Sequence, residues 1–251
     1  MTQPKVLLEI CTASVDDCEA AQSGGANRIE LNSALMLGGL TPSHGLIVEA
    51  RRILTIPLIV MIRPRAGGFS YSQGDLRVMM RDTEFALESG ADGIAFGFLN
   101  PDGTLDRPNC EQFIKLARPR QLVFHRAFDV VRDPSSVLEQ LIDLGVTRVM
   151  TSGQEASAYN GSAAISKLIQ QASGRIEILP AGGITRFTIA DVLSRTGCNQ
   201  VHASLTTVRK DSSTMARPQV SFGGAFQPPE DLFKVTDSGA VAALRASLDQ
   251  S

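Results

Sequence analysis

Short apolar runs recur along the chain, and most are followed by a stretch whose apolar residues have helical spacing. A run of four to eight apolar residues rich in Val, Ile and Leu is typical of a buried strand in a parallel sheet. We therefore predict eight strands, near residues 6–12, 28–32, 57–63, 93–98, 121–128, 147–152, 176–181 and 200–204.

The stretches between these runs carry the start and stop signals of helices. Asp16 and Asp17 place acidic side chains in a first turn, where the helix dipole favours them, and Asp133-Pro134 is a cap followed by proline. Glycine follows the helical pattern in several places, as at a C-terminal cap. We predict helices from Asp16 to Gly24, Asp75 to Ser89, Asp133 to Leu144, Thr185 to Arg195 and Thr236 to Leu248.

A short motif repeats where a helix ends and the next strand begins, at residues 24–29, 89–94 and 144–149. Repeated βα units predict a parallel sheet, and eight parallel strands usually close into a (β/α)8 TIM barrel. The alternative is a doubly wound open sheet, which normally carries GxGxxG after its first strand. Here that strand ends in Cys11-Thr-Ala-Ser14 without glycine. At 251 residues, the chain is predicted to be one TIM-barrel domain, 1–251.

Residues 205–235 depart from this rhythm and are rich in Ser, Thr, Gly and Pro. A long loop after the eighth strand of a barrel lies near its mouth, so this segment is either a lid or a disordered excursion.

Composition excludes several classes of protein. The net charge of −2 predicts no bulk attraction to nucleic acid or to an anionic membrane. We expect no signal peptide, and no apolar run approaches the roughly 18 residues of a membrane span. The four cysteines are scattered without a CxxC pair, which indicates neither a disulfide framework nor a zinc ribbon and favours a cytoplasmic location.

Charged residues interrupt strands that should be apolar, notably Glu9 in strand 1 and Arg28 and Glu30 in strand 2. Because side chains alternate along a strand, Leu8 and Ile10 of strand 1 should face the helices, and Glu9 and Cys11 the barrel interior. In strand 2, Ile29 and Leu31 should likewise face outward. A buried charge needs a partner. One interpretation is a sealed layer of ion pairs joining Glu9 and Glu30 to Arg28 and Arg63.

The other interpretation is a functional site at the barrel mouth, where the C-terminal ends of the strands meet. Strand 5 ends with His125 and Arg126, predicted to lie on opposite faces, and Asp129 follows. Positive charge exceeds negative charge in this set, so a small anion would balance it. The proposed catalytic residues are Glu9, Glu30, Arg63, His125, Arg126, Asp129 and His202.

A second feature lies after strands 6, 7 and 8. Gly182-Gly183 leads towards a predicted helix, and glycine lets a backbone approach an anion closely near a helix N-terminus. Alternatively, the glycine pair only makes a tight turn. The predicted anion-binding residues are Thr151, Ser152, Gly182, Gly183 and Ser204.

Cys11, at the end of strand 1, is the candidate metal ligand, although a free cysteine is often a small buried hydrophobe. For a hard divalent ion the candidates are Glu9, Glu30, His125, Asp129 and His202. No GxSxG is present and no lysine lies at a predicted strand end, which disfavours a serine nucleophile and a Schiff-base aldolase. General acid–base chemistry by His125 with Asp129 or Glu30 stays open.

From Leu7 to Leu244 the chain resembles the CutC copper homeostasis family. The motifs that carry the resemblance are Leu8-Glu-Ile-Cys11, Asn27-Arg-Ile-Glu-Leu31, Gly38-Gly-Leu-Thr-Pro-Ser43, Ile62-Arg-Pro-Arg65, Phe124-His-Arg-Ala-Phe-Asp129, Thr151-Ser-Gly-Gln154 and Val201-His-Ala-Ser204.

The resemblance implies a cytoplasmic TIM barrel that forms a homo-oligomer, a dimer or tetramer, with a role in copper handling. It also implies a copper site built from cysteines at the ends of strands 1 and 2. Cys11 matches the first, whereas Asn32 replaces the second, so copper binding should be weak here. The alternative function is an enzyme, a lyase, isomerase or hydrolase, acting on a small phosphorylated or carboxylated metabolite.

Overall fold

The computed structural model describes residues 6–223 and 230–250. Eight parallel strands pair in the order β7-β6-β5-β4-β3-β2-β1-β8, and a parallel bridge between Ala181 and His202 joins the two ends. The sheet is therefore a closed barrel, as predicted, and not an open doubly wound sheet. The strands are β1 Leu7–Thr12, β2 Arg28–Leu31, β3 Leu58–Met61, β4 Gly93–Phe96, β5 Gln121–Phe124, β6 Arg148–Thr151, β7 Glu177–Pro180 and β8 Gln200–Ala203.

Helices surround the barrel, and several begin at the caps that the sequence indicated. Asp133 accepts a hydrogen bond from the Ser136 amide, and Asp237 accepts one from the Ala240 amide. Such side-chain acceptors satisfy amides that have no partner within the helix. The helices are α1 Val15–Ser23, α2 His44–Ile53, α3 Gln73–Glu88, α4 Arg107–Ala117, α5 Pro134–Asp143, α6 Ser162–Ala172, α7 Ile189–Thr196 and α8 Ser238–Asp249.

Helix α8 starts at Ser238, shortly after the predicted Thr236, and α7 starts a full turn later than predicted. The expected start at Thr185 is wrong, because α7 begins at Ile189. Thr188 Oγ1 accepts a hydrogen bond from the Thr185 amide and lies 3.1 Å from the Gly183 carbonyl oxygen. These local bonds between threonine side chain and backbone favour a turn over a helix.

The repeated junction motif forms the same turn three times. Gly25, Gly90 and Gly145 all have positive φ, at 93°, 91° and 72°. In each turn the next amide bonds back to the helix, for example from Ala26 N to Ala21 O at 3.0 Å. Glycine is suited to this left-handed position because it has no Cβ. The repeat is thus one helix-to-strand turn used around the ring.

Alternation along the strands divides the core into two layers. Leu8 and Ile10 pack in the outer layer between barrel and helices. A smaller cluster fills the interior: Ile59, Met61, Ala95, Val123, Met150, Leu179 and Ala181. The predicted outward positions of β1 and β2 are confirmed.

Strand β5 is shorter than predicted. It ends at Phe124, and a 3₁₀ turn over Arg126–Val130 follows. His125 caps that turn through its Nδ1 atom, which accepts a hydrogen bond from the Ala127 amide at 3.1 Å. The prediction that His125 and Arg126 lie on opposite strand faces is therefore wrong.

The segment after β8 forms a two-stranded antiparallel ribbon, β9 Thr206–Lys210 and β10 Leu232–Thr236. Asp17 of α1 accepts a hydrogen bond from the Thr236 amide, which anchors the ribbon to the barrel wall. Within 205–223 and 230–235, no residue lines the barrel cavity described below, so these parts do not form a lid. Residues 224–229 lie outside the described structure.

Across the described ranges, no helix is both long and apolar enough to cross a bilayer.

Candidate functional site

A cavity of about 320 Å³ opens at the C-terminal ends of the strands. This size suits a small ligand, since ligand pockets range from roughly 300 to 1,000 Å³. Of the proposed catalytic residues, five line the cavity: Glu30, Arg63, His125, Arg126 and His202. Cys11 and Ser204 line it as well.

Glu9 lies beneath the cavity and is almost fully buried, with 1% of its surface exposed. Its carboxylate forms an ion pair with Arg28 and lies 2.8 Å from Nδ1 of His202. Burial alone would raise the pKa of Glu9, but Arg28 and His202 outweigh burial and hold it well below its usual value. Glu9 therefore supports His202 from below.

The layer under Glu9 closes the barrel interior. Arg28 donates to Gln200 Oε1 at 3.0 Å, and Arg148 donates to Glu177 Oε2 at 2.7 Å and to Gln121 Oε1 at 3.2 Å. The predicted layer of ion pairs thus exists for Glu9 and Arg28. It does not include Arg63, which bonds to backbone carbonyls of the loops around it.

Cys11, Glu30 and His202 form one cluster on the cavity wall. Each offers one ligand atom, and these atoms all lie within 4.8 Å of one another. Adjacent strand ends bring them together, because β1 pairs with β2 on one side and with β8 on the other. A thiol, a carboxylate and an imidazole form a mixed donor set for a metal ion of borderline softness.

Asn32 sits against this cluster. Its Nδ2 atom donates to Cys11 Sγ at 3.3 Å and to Glu30 Oε2 at 3.0 Å. The ends of β1 and β2 thus converge as the sequence indicated. Asn32 Oδ1 and Glu30 Oε1 are buried without a hydrogen-bond partner. Since buried polar atoms normally have partners, these two oxygens fit a site that receives a cation or a donor.

The protonation state of the cluster follows from burial and mutual charge. Burial, and secondarily Glu30, raises the pKa of the Cys11 thiol well above its usual value. Burial also raises the pKa of Glu30, and the charge of Glu9 adds to this although His202 opposes it. Burial would lower the pKa of His202, but Glu30 and Glu9 raise it overall. The cluster therefore holds its protons tightly.

Asp129 does not line the cavity; it organises the loop after β6. It accepts hydrogen bonds from Thr151 Oγ1 at 2.6 Å, from the Ser152 amide at 2.9 Å and from Arg126 Nε at 2.7 Å. Arg126 also donates to Ser152 Oγ at 2.8 Å. These bonds hold the half-exposed Arg126 guanidinium at the cavity edge.

The predicted anion-binding residues are dispersed. Ser204 lines the cavity, and Gly182 lies beside the Arg126 guanidinium, where an added Cβ would be 3.5 Å from a guanidinium nitrogen. Thr151 is fully buried, and its hydroxyl group donates a hydrogen bond to Asp129. Gly183 packs against Ser157.

Several residues that line the cavity were not predicted as site residues: Leu35, Gly38, Gly39, Met61, Phe69 and Met150. Alternation along β3 and β6 points Met61 and Met150 inward, and this was the signal available for them. Phe69 lies in the loop after β3, where strand periodicity gives no information.

A family model described as the CutC family matches residues 6–207, which include both ends of the barrel and every residue of the cluster. This chain belongs to the CutC family. A CutC family protein of Treponema denticola is 47% identical over 92% of this chain and 94% of its own length. The human protein named copper homeostasis protein cutC homolog is 42% identical over 96% of this chain and 88% of its own length.

The structural comparison agrees. The crystal structure of CutC from Streptococcus agalactiae matches with a TM-score of 0.76 at 34% identity, covering 78% of this chain and 97% of that one. The CutC barrel is thus the fold of this chain as well.

Proposed function

We propose that this CutC family member acts in copper homeostasis and binds copper in the cavity through Cys11, Glu30 and His202. The observation that carries the proposal is the convergence of these three ligand atoms within 4.8 Å at a buried site. The names of relatives such as the human copper homeostasis protein cutC homolog support copper as the metal.

The chemistry of the donor set bears on which copper ion is bound. Cu(I) prefers several soft ligands, and Cys11 is the one thiol of the cluster. Two thioethers, Met61 and Met150, line the same cavity and add soft sulfur atoms. The carboxylate of Glu30 and the imidazole of His202 suit a divalent ion. We infer that Cu(I) binds weakly and through sulfur, whereas Cu(II) also uses Glu30 and His202.

Competition with chelators of known affinity tests the proposal, with Cu(I) under reducing conditions and with Cu(II) and Zn(II) without reductant. Cys11→Ser removes a proposed ligand and should weaken copper binding by at least roughly 10- to 100-fold, the range seen when a group that only supports a ligand is lost. Cys198→Ser is the matched control, since Cys198 is also buried and free but precedes β8 at the other end of the barrel. Equal copper binding by the two variants would contradict the proposal.

A second candidate function is the enzymatic one, catalysis on a small phosphorylated or carboxylated metabolite by Glu30, Arg63, His125, Arg126 and His202, with Glu9 and Asp129 supporting them. The buried Arg63, whose partners are carbonyl groups, favours an anionic ligand. Turnover of a metabolite, lost in His125→Gln while the fold is retained, would support this function.

We further propose that residues 1–251 work as a single cytoplasmic barrel domain and assemble as a dimer or tetramer. The four free cysteines support a reducing compartment. Exposed apolar side chains on β9 and β10 and in the segment between them, including Val208, Phe222 and Phe233, support association. Light scattering of the wild type and of Phe233→Ser measures the oligomeric state, and cell fractionation tests the location.

A further inference from the structure

The cavity wall beyond the ends of β3 and β5 carries hydrogen-bond donors without close partners. His125 Nε2 and Arg63 Nε are both buried and form no close hydrogen bond among the described residues. The hydroxyl group of Tyr71 is buried as well and lies near the Arg63 side chain; burial raises the pKa of Tyr71, and the charge of Arg63 opposes this rise. His125 and Arg63 are 3% and 6% exposed, so they have little access to bulk water. Buried donors normally have hydrogen-bond partners, so this part of the cavity suits a ligand that accepts hydrogen bonds.

The tautomer of His125 is set by its backbone bond. Nδ1 accepts the hydrogen bond from the Ala127 amide, so in the neutral ring the proton lies on Nε2. Burial, together with the charge of Arg63, lowers the pKa of His125 to about 3, which keeps the ring neutral. His125 therefore presents one fixed N–H donor to the cavity.

The ring of His125 has little freedom to turn away. A Cβ added to Gly97 would lie 2.5 Å from its Cε1 atom, so glycine is needed for the ring to fit. Phe69 packs against the other side, with ring centroids 5.0 Å apart. The same Phe69 ring lies 5.2 Å from the Arg63 guanidinium carbon. One aromatic ring thus holds both donors side by side.

The charge on this wall is not neutralised. The Arg63 guanidinium donates to the carbonyl oxygens of Leu37, Gly39 and Gly67, with no carboxylate among its partners in the described residues. Arg126 adds a second guanidinium at the cavity edge, paired with Asp129. A buried cation without an acidic partner is stabilised by a bound anion.

We propose that the cavity binds a small oxyanion, a carboxylate or a phosphate, between the Nε2–H group of His125 and the guanidinium group of Arg63, with Arg126 at the entrance. The oxyanion satisfies both buried donors and the uncompensated charge. This site uses residues that follow β3 and β5, whereas Cys11, Glu30 and His202 lie on β1, β2 and β8, and it does not depend on copper.

Calorimetric titration of the metal-free protein with inorganic phosphate and with malonate tests the proposal. The two probes distinguish a site for phosphate from a site for carboxylate. His125→Leu removes the donor, whereas His125→Gln keeps an N–H group at its end. We expect at least one probe to bind the wild type. Affinity should fall roughly tenfold in His125→Leu, the equivalent of about 1.4 kcal/mol, and less in His125→Gln. Arg63→Met should lose binding, and Arg52→Met, on the exposed face of α2, should keep it.

A second measurement covers the case in which a variant fails to fold. The chain contains three histidines, so ¹⁵N-histidine labelling gives three pairs of ring signals. In the wild type, Nε2 of His125 should carry the proton and shift on addition of the probe, while the exposed His44 serves as internal control. Absence of binding by both probes, a His125 signal that does not move, or binding that survives His125→Leu and Arg63→Met would overturn the proposal.

Discussion

The side-chain amide nitrogen of Asn32 lies 3.3 Å from the sulfur of Cys11, at the ends of neighbouring strands β2 and β1. A cysteine at position 32 would bring a second thiol close to the first.

We therefore predict that Asn32→Cys raises Cu(I) affinity by at least roughly tenfold, about 1.4 kcal/mol, because two thiolates suit Cu(I) better than one. Competition against a strong Cu(I) chelator measures the change. Asn32→Ser controls for the loss of the amide. If Asn32→Cys binds Cu(I) no better than Asn32→Ser, the two strand ends do not share a metal.

The thioethers of Met61 and Met150 give a prediction that separates the copper ions. The double change Met61→Leu and Met150→Leu conserves volume, so the fold should be retained. Cu(I) affinity should fall roughly tenfold, about 1.4 kcal/mol, while Cu(II) affinity stays unchanged, since thioethers favour the softer ion. Met79→Leu, on α3 outside the barrel, is the control. An equal loss of affinity for Cu(I) and Cu(II) would show that the thioethers act only through packing.

Glu9 should be essential for stability, whereas Arg126 should not. Glu9→Ala leaves Arg28 and His202 buried without their shared partner, which should cost roughly 3–5 kcal/mol of unfolding free energy. Arg126→Ala removes a half-exposed ion pair and should lower the unfolding free energy by about 1 kcal/mol or less. The same change should abolish binding of the oxyanion. Chemical denaturation measures the stability of both variants. A neutral Glu9→Ala would mean that Arg28 and His202 do not need this carboxylate.

The lowered pKa of His125 predicts that the folded protein loses stability in acid. The pKa of His125 is 6.5 when unperturbed and about 3 in the folded protein, so below pH 6.5 the unfolded chain binds the additional proton. The stability that His125 provides is therefore complete above pH 6.5 and declines as the pH falls towards 3, by about 1.4 kcal/mol per pH unit.

Denaturation of the wild type and of His125→Gln between pH 7.5 and pH 4 checks this decline, because the difference between the two isolates His125 from the carboxylates that titrate in the same range. His44→Gln, at an exposed position, should parallel the wild type. A wild-type curve parallel to that of His125→Gln would show that the ring is not held neutral.

The sequence was sufficient for the barrel and for the direction of many side chains. Alternation with a period of two is a local property of the strand, so it correctly placed Glu9 and Cys11 inside and Leu8 and Ile10 outside. Capping side chains such as Asp133 are equally local, and the helix they start was predicted correctly.

Only the tertiary structure decided how deep each inward residue lies and which residues it meets. Periodicity gives the face of a strand, but the stagger between strands sets the height along the barrel axis. For this reason Glu9 was assigned to the mouth yet lies beneath His202, and Arg63 was paired with carboxylates yet bonds to loop carbonyls. The turn after Phe124 brings both His125 and Arg126 to the cavity, because the chain leaves the strand geometry from which opposite faces were inferred.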